Sequence, residues 1–197
     1  MKKFINIGIF LFIFALYFMT FLMIYDNFRE RKLNSQEDNA LELFEERIEK
    51  KPDEPVVEKQ TYSVNYNGYT ILGRLQIPKV YIDTVILAEQ TYAAMNLGVI
   101  KSYGVDLNTK GGFVLAGHNF RGSSVFIYYV HRLVSGDVIT ITDARGIQKN
   151  YYVYEVDRYV SPTDVSYLTS TDDYHLTIVT CESGGKSRII VKARASE

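Results

Sequence analysis

One cysteine, one histidine and one arginine hold most of the chemistry this chain can offer. Cys181 is the only cysteine and stands at the end of an apolar, β-branched run, residues 176–180, that predicts a buried strand. Gly184-Gly185 is a turn signal and residues 188–191 begin a second such strand, so the region predicts a hairpin. Directly opposed residues of an antiparallel pair point to the same face, and a register closing on a six-residue loop sets Cys181 beside Arg188. A fixed cation there can lower a thiol pKa or donate bidentate hydrogen bonds to developing negative charge. His118 follows the apolar stretch 111–117 directly and sits beside a glycine, at the kind of strand end where loops display catalytic groups. Taken singly, a cysteine is more often a small buried hydrophobe and a histidine an ordinary surface or core residue. Together they meet the needs of Cys/His nucleophilic chemistry: one thiol, one imidazole and a group that stabilises an oxyanion.

Composition narrows the partners and cofactors. The chain has 197 residues, 47% of them hydrophobic and 14% aromatic, enough for one packed domain plus an appendage. Sixteen tyrosines and eleven phenylalanines suit β structure. A net charge of −1, with no basic stripe interleaved with aromatics, gives no reason to expect nucleic acid. A single cysteine forms no internal disulfide and no multi-cysteine metal motif, and histidines at 118, 131 and 175 are too scattered for a His-x-x-x-His site. No metal and no cofactor are expected. No phosphate-binding glycine loop, nucleotide fingerprint or internal repeat occurs.

The elements that position these residues divide the chain into three. Residues 1–25 predict a membrane anchor: Lys2 and Lys3 precede an uncharged run, 4–25, whose twenty-two residues at about 1.5 Å each can cross a core of roughly 30 Å. The run is too long for a signal peptide and lacks an Ala-x-Ala-like cleavage site before Asp26. Arg29, Arg31 and Lys32 on the far flank leave its orientation open on charge alone. Residues 26–60 predict a charged stalk, partly helical over about 35–50 and fitting loosely against the domain; Leu41, Phe44 and Ile48 give it a narrow apolar stripe, and Pro52 and Pro55 end it. Residues 61–197 read as a mainly β barrel or sandwich, with eight strands near 69–77, 81–87, 97–101, 112–117, 137–142, 148–160, 175–181 and 188–194. Short helices are expected at 91–96 and 123–133.

The stretch Thr-Ile-Val-Thr-Cys181, with Arg188 seven positions on and Leu-Ala-Gly-His118-Asn upstream, resembles the sortases, membrane-anchored cysteine transpeptidases of mostly Gram-positive bacteria. The resemblance covers about residues 71–195 and departs from the usual Thr-Leu-x-Thr-Cys pattern only at Ile178, a conservative change. It implies an eight-stranded sortase-like β-barrel with short helices, an N-terminus in the cytoplasm and a catalytic domain outside the cell membrane. It further implies that Cys181 is the nucleophile that cleaves an LPXTG-like sorting signal through a thioester, that His118 is the general acid/base, and that Arg188 holds the oxyanion or the substrate. The protein partners would be a surface protein bearing the sorting signal and an amine acceptor such as a peptidoglycan precursor. Thr180, beside the nucleophile, would line the same groove, and Val160, Pro162, Val165 and Leu168, before the cysteine strand, would form its apolar wall.

The chain shows neither a second, C-terminal membrane helix nor an Asp-Pro-aromatic lid, which favours a housekeeping-like or small specialised member over a pilin-assembling one. The short loop before Arg188 and the modest segment before His175 argue against the class that anchors haem-uptake proteins. Residues 100–110 offer only Asp106 toward calcium, and Asp164, Asp172 and Asp173 read as loop residues. Two other functions fit parts of the chain. A hydrolytic cysteine peptidase would use the same Cys/His pair, and a non-catalytic, membrane-tethered β-barrel binding module would need only the anchor and the fold.

Overall fold

Short strands whose side chains alternate between a core and an outer face close here into a barrel. The computed structural model describes residues 2–49, 63–119, 127–168, 171–182 and 185–195. The strands are β1 (Val64–Tyr66), β2 (Tyr69–Ile77), β3 (Ile82–Leu87), β4 (Val99–Gly104), β5 (Gly111–Gly117), β6 (Val138–Asp143), β7 (Gln148–Val160), β8 (Tyr174–Cys181) and β9 (Arg188–Arg194). They lie in the order β2-β3-β4-β5-β8-β9-β7-β6, and β6 pairs back onto β2, which makes the eight-stranded barrel closed and mainly β. Among the described strands only β3–β4 and β5–β8 are parallel. Closure brings backbones together at Gly73, where an added Cβ would lie 2.5 Å from the Thr142 carbonyl oxygen. Glycine is the residue that such an approach tolerates.

All eight expected strands are present, and the ends of β2, β7 and β9 coincide with those expected. The ninth, β1, has three residues, too few to show a periodicity; it joins β2 through Asn67 and Gly68, both at positive φ, as a two-residue hairpin requires. The helix expected at 91–96 is α2 (Tyr92–Met95), capped by the Thr91 side chain, which accepts from the Ala94 amide at 3.1 Å. Of the helix expected at 123–133, residues 123–126 lie outside the described residues and the rest is a 3-10 turn, Tyr128–Arg132.

The interior is filled by Leu75, Ile77, Phe113, Leu115, Tyr151, Leu176, Ile178 and Val191 among others, with Phe113 edge-on to Tyr151 at 5.7 Å. A second apolar cluster lies outside the sheet and corrects the expectation of a loosely fitting stalk. One unbroken helix, α1 (Lys2–Glu49), contains both the apolar run and the charged segment after it. Nothing in residues 26–49 is a glycine or a proline, so no residue stops the helix where the apolar run ends. At about 1.5 Å per residue it is about 70 Å long, and it is long and apolar enough at its N-terminal end to cross a membrane.

The last turns of α1 dock on the barrel. Ala40 and Phe44 are buried against Val64, Ile71, Val85, Leu87 and Leu97, with Leu41 and Ile48 beside them. Arg74 holds Asp83 in a two-pronged ion pair at 2.6 and 2.7 Å and reaches Glu45 of α1 with its remaining terminal nitrogen. The narrow stripe therefore suffices, because the barrel supplies the other wall of the contact. Removing the Phe44 ring should leave a cavity worth about 3 kcal/mol. In Phe44→Ala, amide exchange over residues 37–48 should accelerate about 10²-fold while the barrel strands stay protected; unchanged exchange would show that the docking does not depend on this ring.

Candidate active site

Register, not loop shape, assembles the site. In the antiparallel β8–β9 pair Cys181 lies opposite Arg188, and in the β7–β9 pair Arg188 lies opposite Val160. On the other side of β8, the parallel β5 ladder ends at Gly117↔Thr180, so the next residues of the two strands, His118 and Cys181, leave the sheet side by side. Four neighbouring strands thus deliver Val160, Arg188, Cys181 and His118 to one end of the barrel. Alternation fixes the face as well: Ile178 and Thr180 point into the barrel, and Val179 and Cys181 point out.

Arg188 is half-buried and its Nη1 donates to the Cys181 Sγ at 3.4 Å and to the Ser187 carbonyl oxygen at 3.5 Å. Its other N–H groups make no hydrogen bond among the described residues, so the guanidinium fork is open to a further acceptor. His118 is also half-buried. The Tyr92 ring, presented by α2, covers it with centroids 4.6 Å apart and planes tilted by 57°. Burial holds the imidazole below its ordinary 6.5, because a charged ring loses hydration there. Gly117 sets the end of β5 deep: a Cβ there would lie 3.1 Å from atoms of Ile127 and Val99.

The remaining expected residues separate into two groups. Thr180 is buried, and its hydroxyl donates to the Gly117 carbonyl oxygen at 2.8 Å, which links β8 to β5. Val160 and Leu168 pack, with Tyr167, against the outward-facing cluster of Val114, Val179 and Ile190. Pro162 and Val165 are exposed and stand outside that cluster. Three contributors were not singled out as site residues: Tyr92, whose partner is 26 positions away; Tyr167; and Asn119, present in the His118 motif, whose side-chain amide Nδ2 donates to the Cys181 carbonyl oxygen.

The arrangement supplies a thiol, an imidazole at the neighbouring strand end and a cation with uncommitted donors beside an outward-facing apolar cluster, which is the equipment for acyl transfer through a covalent intermediate. If Tyr92 is what dries His118, Tyr92→Ala should move the His118 titration upward toward 6.5 in an NMR pH series, and Tyr92→Phe should leave it in place. An unmoved titration in the alanine variant would exclude this ring as the cause. The fold favours the neutral imidazole, so acidification through this titration should cost stability rather than add it.

The sortase domain family model matches residues 75–196. Sortase A of Listeria monocytogenes is 26% identical over 122 residues, 61% of this chain and 53% of that protein. Sortase A of Bacillus anthracis is 27% identical over 115 residues, 57% of this chain and 53% of that protein. The chain spans about half the length of the curated relatives it matches. Among solved structures, the Sortase D5 transpeptidase of Clostridium perfringens aligns with a TM-score of 0.62 at 26% identity, over 84% of this chain and 99% of that one. With a domain match over more than half its length and the same closed barrel, this chain belongs to the sortase family.

Proposed function

We propose that the chain is a cysteine transpeptidase that cleaves an LPXTG-like sorting signal and joins the freed carbonyl to an amine. The observation that carries this reading is the shared strand end at which Cys181 stands between His118 and Arg188. The Cys181 thiolate attacks the carbonyl carbon of the Thr-Gly-like bond, forming a C–S bond and moving the carbonyl electron pair onto oxygen. Arg188 donates to that oxyanion. Collapse breaks the C–N bond, and the His118 imidazolium gives its proton to the departing amine nitrogen. In the second half the incoming amine attacks the thioester, His118 takes its proton, a C–N bond forms, and the thiolate leaves. Because burial disfavours the imidazolium, the competent protonation state is a minor one at neutral pH.

Val160 and Leu168, with Tyr167, supply an apolar wall that suits the apolar start of the motif. Pro162 and Val165 join it only as the loop's outer surface. In the same reading residues 1–25 are the membrane anchor, 26–60 the connecting segment and 61–197 the catalytic unit. The N-terminus lies in the cytoplasm and the barrel outside, where a surface protein and a peptidoglycan-type amine are met.

The test is to incubate the protein with a sorting-signal peptide, with and without an added amine. Amine-trapped product is expected, and Cys181→Ala should abolish it while leaving the fold intact. Cleavage indifferent to amine would mean a peptidase, and no cleavage a binding module. A membrane-impermeant peptide consumed by intact cells would report a barrel on the outside, and one that is consumed only after lysis would reverse the topology.

Arg188 separates two electrostatic roles. Its uncommitted donors favour oxyanion binding, so Arg188→Lys and Arg188→Ala should each lose on the order of 10²-fold in turnover, with thiol alkylation little changed. A near-normal lysine variant would assign the residue to thiol activation instead.

A further inference from the structure

His118 and Cys181 sit just beyond the last rung of the β5–β8 ladder, where no backbone pairing holds the two chain segments together. Parallel strands that leave a sheet at the same end diverge unless something ties them. Two side chains do so here, one from each strand. Thr180 of β8 donates to the Gly117 carbonyl oxygen on the rung itself, at 2.8 Å. Asn119, past the end of β5, donates through Nδ2 to the carbonyl oxygen of Cys181. The two bonds run in opposite directions and bracket His118 and Cys181 between them. The second one is attached to the nucleophile's own peptide group and to the residue next to the histidine.

We propose that Asn119 is the positioning residue that sets the separation of His118 from Cys181, by holding the Cys181 carbonyl against the segment that carries the imidazole. The assignment rests on the acyl-transfer reading above for its consequence, but not for its geometry. The amide orientation follows from chemistry, since only the NH2 end can donate to a carbonyl oxygen. The Asn119 Oδ1 is then buried with no hydrogen-bond partner among the described residues, an arrangement that carries a desolvation cost. A surface loop residue with no task would turn such a group to water. The carboxamide also has only two side-chain torsions, so it is a short tether. A longer or more flexible residue would leave the spacing of thiol and imidazole less defined.

The experiment compares the full-length protein with Asn119→Ala and Asn119→Asp. The aspartate keeps the shape but has no donor, and as a carboxylate it repels the Cys181 carbonyl, so it controls for lost packing. Displacing a catalytic pair by about 1 Å can cost on the order of 10²-fold. Both variants should therefore lose 10-fold to 10²-fold in kcat with KM within about threefold of the parent, because the outward-facing apolar cluster around Val179 is not touched. Thr180→Val should add little to Asn119→Ala in the double variant, since both loosen the same juncture. A purely structural role would lower the thermal midpoint without this split of kcat from KM.

A second measurement needs no sorting substrate. Alkylation of Cys181 with iodoacetamide should perturb the His118 imidazole resonance in the parent, and that response should shrink in both Asn119 variants. If the parent turns over no peptide but this response behaves as stated, the transpeptidase reading fails and the tether stands. If the parent is active and both variants keep kcat within twofold and the full His118 response, the tether is overturned.

Discussion

The parallel pairing of β5 with β8 is the constraint on which the rest of the site depends. Its register, Gly111↔Tyr174 through Gly117↔Thr180, decides which residue of β5 emerges beside the cysteine. A slip of one residue would turn every side chain of one strand to the opposite face and send His118 inward while Cys181 stayed out. The register is held by what that slip would cost: Phe113 and Leu115 would leave the core, and Gly117 would no longer be the residue that lies against Ile127 and Val99. The juxtaposition of His118 and Cys181 is thus enforced by burial of side chains elsewhere in the strand.

The same sheet separates two electrostatic environments. Inside, the polar groups around Tyr151 are engaged. Tyr151 donates to Asn108, whose amide in turn donates to the carbonyl oxygens of Ile141 and Ile147 at 3.1 and 2.7 Å. Burial pushes the Tyr151 phenol well above its ordinary range, so it stays a neutral donor. At the site, by contrast, Arg188 keeps donors uncommitted and the imidazole is held toward its neutral form. Unused hydrogen-bonding capacity next to a thiol costs stability and is useful only where charge develops during a reaction.

Docking of α1 ties these features to the long apolar helix. The apolar end of the helix and its docked end are one rigid element, and Phe44 and the Glu45–Arg74–Asp83 linkage join it to β2 and β3. The outer cluster that receives Phe44 also contains Ala94 of α2, the helix that lays Tyr92 over His118. The docked end of α1 and the histidine's cover therefore rest on the same patch of core.

Local physics was legible in the chain by itself. Short apolar and β-branched runs with turns between them marked eight strands, and the Gly184-Gly185 turn with six residues between Cys181 and Arg188 marked the pairing of the last two, because hairpin register is set by neighbours in sequence. The unbroken apolar run marked the membrane-competent helix. What only the tertiary structure decided involves partners far apart in the chain. The β2–β6 closure, the juxtaposition of His118 with Cys181 across 63 positions, the inward face of Thr180, the Tyr92 cover and the Asn119 bond each depend on how strands order themselves, and no local pattern encodes strand order. The stalk shows the same division. Its stripe of Leu41, Phe44 and Ile48 was visible as helical spacing, yet whether three apolar residues face water or a wall depends on the barrel surface opposite, and there Phe44 is buried together with Ala40.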